Sequence, residues 1–204
     1  MCYIVETMRE IEDAIAQVAG DVVAGKATTK QPFWELVRFA LVALIIVLPI
    51  RFFIAEPFVV SGSSMVPTFE NKNYLIIDKI SYRFSEPQRG DVIVFEPPIN
   101  PEIFYIKRII GLPNETVDVK GNIVTIINKE YPGGFILDQS FIKNSGGIDG
   151  HKELKDGEYF VMGDNRPASS DSRIWGAVKR DLITGKAFLR LLPLKNIDIW
   201  PGNY

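Results

Sequence analysis

The chain has 204 residues, of which 47% are hydrophobic and 24% are charged, and its formal net charge is −2. This length suffices for one folded domain with appendages, and the composition is ordinary for a folded protein. The slightly negative charge argues against a nucleic-acid partner, which would need a basic surface. Cys2 is the only cysteine and His151 the only histidine, so an internal disulfide is excluded and a structural zinc site is disfavoured. We expect no metal and no cofactor.

The first 31 residues predict an amphipathic helix followed by a linker. Apolar residues recur from Ile4 to Val22 at helical spacing, and acidic and basic residues occupy the other face. Such a helix either faces solvent or contacts a partner or a membrane surface, although its acidic face disfavours anionic lipid. Residues 25–30 read as the linker. Met8 is an alternative start of the chain.

An apolar segment over 33–54 predicts a membrane-spanning helix. Its central part, 39–50, carries no charge and lies between Arg38 and Arg51. With its flanks the segment approaches the roughly 20 residues that a span needs, and aromatic residues suit both interfaces. We therefore assign 32–55 as a transmembrane anchor. The alternative is a buried core helix; a cleaved signal peptide is disfavoured because the apolar core starts late.

Basic residues on the N-terminal side of the anchor predict its orientation. Lys26, Lys30 and Arg38 precede the centre of the span, and the positive-inside rule places such residues in the cytoplasm. The expected arrangement is a single-pass membrane protein with a cytoplasmic N-terminus. The remainder of the chain, 56–204, is then outside.

After the anchor, short β-branched or aromatic runs alternate with turn-forming residues. This pattern predicts a mainly β domain, antiparallel and partly barrel-like, over 56–204. Residues 129–157 are rich in glycine and charge, and they predict a small insertion or a long hairpin without chemistry of its own. The strands are predicted at 58–60, 74–78, 91–95, 104–110, 116–119, 123–127, 159–162 and 186–192.

A serine and a lysine in this domain are candidates for a catalytic pair. Ser64 follows a turn of small residues, and Lys107 lies in an apolar run. A serine hydroxyl is a weak nucleophile until a base takes its proton, and burial disfavours the charged form of a lysine. His151, the other candidate base, lies in a polar, glycine-rich stretch. The alternative for Lys107 is an edge-strand lysine with a solvated head.

Four blocks of sequence occur in the order found in bacterial type I signal peptidases. They are 56–69, EPFVVSGSSMVPTF; 89–95, RGDVIVF; 105–113, YIKRIIGLP; and 163–176, GDNRPASSDSRIWG. From about residue 56 to 178 the chain therefore resembles this family of membrane-anchored serine proteases with a Ser-Lys dyad. The resemblance implies the β-rich fold that signal peptidases share with self-cleaving repressors. It also implies residence in the bacterial inner or plasma membrane.

The resemblance implies a role for five residues of these blocks. Ser64 would be the nucleophile and Lys107 the general base. Ser169 would hydrogen-bond the lysine and orient it, with an ordinary turn serine as the alternative. Asp171 and Arg173 would form an ion pair that supports the site, although a loop pair of this kind is also common as surface charge of little energetic weight.

Oxyanion stabilisation is expected to rely on the backbone. Some family members carry a serine or threonine two residues before the nucleophile, and Gly62 occupies that position here, as glycine does in other members. The Ser64 N–H is then expected to bind the oxyanion, together with the Gly62 amide or a water.

The substrate is expected to bind as an extended strand that pairs with two segments of the domain. Shallow apolar pockets there match the family's preference for Ala-x-Ala before the cleaved bond. The expected partners are signal-peptide-bearing preproteins, the lipid bilayer and, in passing, the export machinery. The residues assigned to substrate binding are Phe58, Val59, Val60, Met65, Tyr105 and Ile106.

Two other functions compete with this one. A self-cleaving repressor-type protease shares the Ser-Met and Lys-Arg pieces, but the apolar segment and the block at 163–176 argue against it. A membrane-anchored β-domain that binds peptides without cutting them is distinguished only by the intact pair of Ser64 and Lys107.

Overall fold

The computed structural model describes residues 3–5, 33–49, 54–98, 100, 102–140 and 142–202. Its helices are α1 (Phe33–Pro49) and α2 (Ser172–Trp175). Its strands are β1 (Tyr3–Val5), β2 (Ala55–Ser61), β3 (Tyr74–Asp78), β4 (Val92–Phe95), β5 (Phe104–Gly111), β6 (Thr116–Lys120), β7 (Ile123–Ile127), β8 (Phe135–Ile136), β9 (Gly150–Glu153), β10 (Glu158–Met162), β11 (Val178–Lys179), β12 (Ile183–Leu192) and β13 (Asp198–Ile199). Single 3-10 turns lie at Ser81–Arg83, Arg166–Ala168, Arg180–Leu182 and Leu194–Asn196.

The mainly β class is confirmed. Every predicted strand is present, as β2 to β7, β10 and β12. The missed strands β8, β11 and β13 have two residues each, and β9 has four, which is too short for an apolar alternation to be recognised.

The larger sheet is antiparallel and closes on itself through β1. The strand order is β1-β2-β3-β12-β4-β5-β10-β11, β13 pairs with β12, and β1 pairs with β5 as well as with β2. The six strands from β1 to β5 along this path therefore form a ring, which agrees with the predicted barrel-like curvature. The ring encloses a cluster of buried side chains: Phe58, Val60, Met65, Phe69, Leu75, Ile77, Val92, Val94, Ile106 and Ala187.

Strand β5 is the central element of the domain. Seven of its eight residues are buried, because it packs against apolar clusters on both faces. Ile106 belongs to the cluster inside the ring, Ile109 to a second cluster and Ile110 to a third. A strand covered on both faces reads as a nearly continuous apolar run, which explains why the sequence located β5 well.

The smaller sheet has the order β8-β7-β6-β9. Its inner face buries Val117, Val119, Val124 and Ile126 against Ile110 at the end of β5. The segment predicted as an insertion, 129–157, supplies both edge strands, β8 and β9. It is therefore an integral part of the second sheet.

The N-terminal predictions fall partly within the described residues. Tyr3–Val5 forms β1 rather than the start of the helix predicted from Ile4, since the edges of β2 and β5 offer its backbone hydrogen-bond partners. The rest of that helix and the linker lie outside the described residues. Helix α1 covers 17 residues of the predicted anchor. Within the described ranges, no helix reaches the length and apolarity required of a membrane span.

Candidate active site

Ser64 and Lys107 are brought together from different elements of the ring. Ser64 lies just after β2, and Lys107 lies within β5. Both residues are fully buried. The lysine Nζ donates to Ser64 Oγ over 2.8 Å and to the Ile106 carbonyl over 2.9 Å. The separation of 2.8 Å is within hydrogen-bond reach for proton transfer in either direction.

An aromatic pair lies beside the lysine. The Tyr105 ring centroid lies 5.2 Å from Lys107 Nζ, and the same ring packs edge-on against Phe95. Burial raises the pKa of the Tyr105 phenol, and its hydroxyl finds no hydrogen-bond partner within the described part of the chain. The phenol is therefore neutral beside the amine and supplies no negative charge to it.

Ser169 lies at the site, but the predicted hydrogen bond to the lysine is not formed. Its Oγ is buried and has no hydrogen-bond partner among the described residues. Ser169 Oγ faces Gly163: a Cβ added to that glycine would lie 2.3 Å from Ser169 Oγ and 2.5 Å from the Ser64 carbonyl oxygen. Only glycine fits this close approach.

The predicted pair of Asp171 and Arg173 forms, and it is buried rather than superficial. Arg173 Nε and Nη2 each donate to the Asp171 carboxylate over 2.8 Å, with side chains only 1% and 0% exposed. Asp171 also accepts from the Gly163 N–H, and Arg173 donates to the Arg166 carbonyl. The pair therefore fixes the loop that carries Gly163 beside the serine.

A second buried ion pair was not predicted. Arg108, the neighbour of the lysine, donates from Nε and Nη2 to both oxygens of Asp164, over 2.9 and 2.6 Å. Thr68 Oγ1 donates to the same carboxylate over 2.5 Å, and Arg108 also donates to the Gly90 carbonyl. The arrangement ties β5, the turn after Ser64 and the loop after β10 together. Its residues stand in all four motif blocks, but the spacing of the blocks does not show that these residues meet.

The backbone of the nucleophile turn differs from expectation at Gly62. Its φ of 100° is a left-handed value that favours glycine over other residues. Its N–H donates to Asn71 Oδ1 over 3.1 Å and is therefore engaged by the protein rather than directed at a substrate. The Ser64 N–H, in contrast, donates to no other group within the described residues.

The residues predicted to bind substrate lie on both sides of β1. Ile4 has Val60 of β2 as its Cα partner on one side and Phe104 of β5 on the other. Their side chains are largely in the core: all except the half-buried Val59 are fully buried. The surface that these segments offer to an extended chain is therefore their backbone edges.

His151 lies on β9 in the smaller sheet, away from the elements that carry the pair. Its side chain is 68% exposed, and its Nδ1 lies 3.5 Å from an Asp118 oxygen. Nothing in this arrangement directs the imidazole toward Ser64.

The structure thus holds a serine and a lysine together in the core of a mainly β domain, and comparisons with known proteins identify its family. Residues 33–192 match the family model described as signal peptidase, peptidase S26. The chain is 37% identical to "Probable signal peptidase I-1" of Synechocystis sp. (strain ATCC 27184 / PCC 6803 / Kazusa), covering 78% of this chain and 85% of the relative. It is 36% identical to "Signal peptidase I" of Leptolyngbya laminosa, covering 85% and 87%. A crystal structure of a signal peptidase I from Enterococcus faecalis V583 is 33% identical, covers 50% of this chain and 97% of that one, and has a TM-score of 0.42. The chain belongs to the S26 family of signal peptidases.

Proposed function

We propose that this protein removes N-terminal signal peptides from exported preproteins, with Ser64 as nucleophile and Lys107 as general base. The observation that carries the proposal is the 2.8 Å contact between Lys107 Nζ and Ser64 Oγ, both in fully buried side chains. The family and its relatives supply the substrate class. The expected cut follows small residues in an Ala-x-Ala pattern.

The proposed reaction has two stages. The neutral amine of Lys107 takes the Ser64 hydroxyl proton while Oγ bonds to the scissile carbonyl carbon. The ammonium then gives that proton to the departing amine as the C–N bond breaks, which leaves an acyl-enzyme. In the second stage the amine takes a proton from water while the water oxygen attacks the ester carbon. The ammonium then gives this proton to Ser64 Oγ as the C–O bond breaks, which releases the acid product and restores both the serine hydroxyl and the neutral amine. At each tetrahedral stage the unengaged Ser64 N–H is the donor in place for the oxyanion.

The mechanism requires the lysine to be neutral. A lysine at its reference pKa of about 10.4 is almost wholly charged near neutral pH. Full burial of the side chain disfavours the ammonium form, and this effect has to exceed the opposite one of the Tyr105 ring near Nζ, whose face attracts a cation. We expect activity to rise from acid through the neutral to the alkaline range.

The groove between β2 and β5 is proposed as the substrate site. It already holds β1, which pairs with the edge of both strands, so an extended chain fits there. A substrate whose residues before the cut lie in this groove must run toward Ser64, parallel to β2 and β5. Strand β1 runs antiparallel to both. It occupies the groove in the unproductive direction, so a substrate can bind only where β1 is not paired.

Membrane anchoring is part of the proposal. The apolar side chains of α1 are exposed, for example Phe33, Phe39 and Ile45, and at about 1.5 Å per residue the helix covers much of a hydrocarbon core of about 30 Å. We propose a cytoplasmic segment over 1–31, an anchor over 32–55 and an outside domain over 56–204, near the bilayer and the export machinery. In that arrangement β1 and the groove are on opposite sides of the membrane, so the anchored enzyme has an open groove.

Cleavage of a defined precursor tests the proposal. The detergent-solubilised protein is incubated with a signal-peptide-bearing precursor, and the new N-terminus is determined by mass spectrometry between pH 5 and 10. We expect one cut after an Ala-x-Ala sequence, faster at alkaline pH and absent with Ser64→Ala. An acid optimum would point to a carboxylate base such as Asp164, and a cut that survives Ser64→Ala would exclude the serine mechanism.

A further inference from the structure

Asn165 is hydrogen-bonded to the peptide groups on both sides of Ser64. Its side-chain Nδ2 donates to the Ser63 carbonyl over 3.0 Å. Its backbone N–H donates to the Ser64 carbonyl over 2.9 Å. The residue reaches the nucleophile turn from the loop after β10. Asn165 and Ser63 are 102 positions apart in the chain, so the sequence block around Ser64 does not reveal their contact.

The first of these bonds bears on the direction of the Ser64 N–H. A peptide group is planar and trans, so the Ser63 carbonyl and the Ser64 N–H point in opposite directions from one rigid unit. A donor that fixes the carbonyl therefore also aims the N–H. The Val66 N–H reaches the same carbonyl within the turn, over 3.2 Å, while Asn165 holds it from outside the turn by the shorter bond.

The aim of this N–H matters because the Gly62 amide is bonded to Asn71, whereas the N–H of the nucleophile itself donates to no other group within the described residues. We propose that Asn165 is a positioning residue for the oxyanion hole. Its carboxamide holds the peptide plane between Ser63 and Ser64 so that the Ser64 N–H faces the oxyanion of the transition state. The inference rests on the proposed Ser64 and Lys107 mechanism.

The surroundings hold Asn165 in place for this role. Its carbonyl accepts from the Ala168 N–H, and the next residue, Arg166, donates its N–H to the Asn144 carbonyl, both over 3.1 Å. The bond from the Asn165 backbone to Ser64 does not depend on the side chain. A side-chain substitution therefore removes the bond to Ser63 selectively.

The variants Asn165→Asp and Asn165→Ala test the proposal. Aspartate keeps the shape, but a carboxylate cannot donate to the Ser63 carbonyl; alanine removes the group. Asn144→Asp is the matched control, because Asn144 contacts this loop through its backbone carbonyl and the β-bridge to Asn165. The measurements are kcat and KM for a signal-peptide substrate, the inhibition constant of a peptide aldehyde, whose adduct carries an oxyanion, and that of the N-terminal product peptide.

Loss of one oxyanion-hole donor lowers kcat by about 10²- to 10³-fold. A donor that is present but misaligned should lower kcat by a smaller factor. We expect kcat to fall about 10- to 100-fold in both Asn165 variants, with KM within about twofold, as for a contact made only in the transition state. Aldehyde binding should weaken in parallel with kcat, while product binding and the Asn144→Asp enzyme should stay near the parent.

Three outcomes would overturn the inference: kcat within twofold of the parent in both variants, a rise in KM at constant kcat, or loss of the folded state in both. Equal weakening of aldehyde and product binding would likewise show a role in shaping the groove. Failure of the proposed function is seen separately, because it would appear as parent-level cleavage by Ser64→Ala, whatever the Asn165 variants do.

Discussion

The two sheets of this protein treat charged side chains in opposite ways. Around the larger sheet, Lys107, Arg108 and Asp164 are at most 1% exposed. On the smaller sheet the charges are exposed: Lys120 and His151 reach solvent with most of their surface around Asp118. Burying a charge is costly unless it is paired or used. The contrast therefore separates the larger sheet, where the proposed catalytic pair lies, from the smaller one.

The smaller sheet nevertheless supports the site mechanically. The segment before β9 runs along the loop that carries the buried ion pair: the Gly146 carbonyl accepts from Arg173 over 3.4 Å. A Cβ on Gly147 would lie 2.9 Å from the Arg166 carbonyl oxygen. Residues without chemistry of their own thus limit how far the active-site loop can move.

The largest effect is expected at the buried pair itself. Ser64→Ala removes the nucleophile, and Lys107→Arg replaces the base with a group that stays charged and cannot accept a proton. Both should lower kcat by about four to six orders of magnitude, as for members of other catalytic units. Precursor cleavage measures the rate, and circular dichroism verifies the fold. Parent-level activity in either variant would contradict the dyad.

The next effect concerns the stability of the larger sheet. Asp164→Ala leaves Arg108 buried without its carboxylate partner, and breaking a buried pair in this way costs about 3–5 kcal/mol. Denaturant unfolding of the solubilised protein should show this loss. Asp118→Ala on the smaller sheet is the matched control, and its midpoint should stay at the parent value. Equal shifts in the two variants would remove the contrast between the sheets.

The features that could be predicted from the sequence are those that depend on a local pattern of residues. Strand β5 was predicted because it is apolar along its length, and the serine and lysine because each stands in a motif on or beside a predicted strand. The contacts of Asn165 with the nucleophile turn and of Arg108 with Asp164 were not predicted. They join residues 102 and 56 positions apart, and only the folded sheet brings them together.

Two other predictions from the sequence differ from the structure for local physical reasons. Strand β1 has three residues whose pairing is made by the backbone, so the apolar spacing from Ile4 onward favoured a helix instead. The Ser169 bond to the lysine was implied by the resemblance, but Ser169 Oγ faces Gly163 and has no hydrogen-bond partner among the described residues. Neither the pairing of β1 nor the position of Ser169 can be predicted from residue types alone.

A smaller effect is expected where β1 closes the ring. Ile4→Pro removes a backbone N–H that a strand needs for pairing, while Ile4→Val preserves a strand-forming residue. If β1 competes with substrate in the detergent-solubilised enzyme, Ile4→Pro should lower KM about two- to fivefold at constant kcat. Steady-state kinetics with a soluble peptide measures this. An unchanged KM would show that the groove is already free in solution.

The smallest effect is expected at His151. Its substitution tests whether the exposed charges of the smaller sheet are unimportant for cleavage. The pKa of Asp118 lies below its ordinary value, mainly because Lys120 hydrogen-bonds to it and to a lesser degree because of His151. His151→Ala should therefore raise that pKa slightly, and Lys120→Ala should raise it more; carboxyl titration by NMR measures both.

Cleavage should stay within about twofold of the parent in both variants, because exposed pairs of this kind contribute little to a fold. Suppose instead that His151→Ala lowers kcat by orders of magnitude while the protein stays folded. The base would then be the imidazole, and the burial of Lys107 would need another explanation.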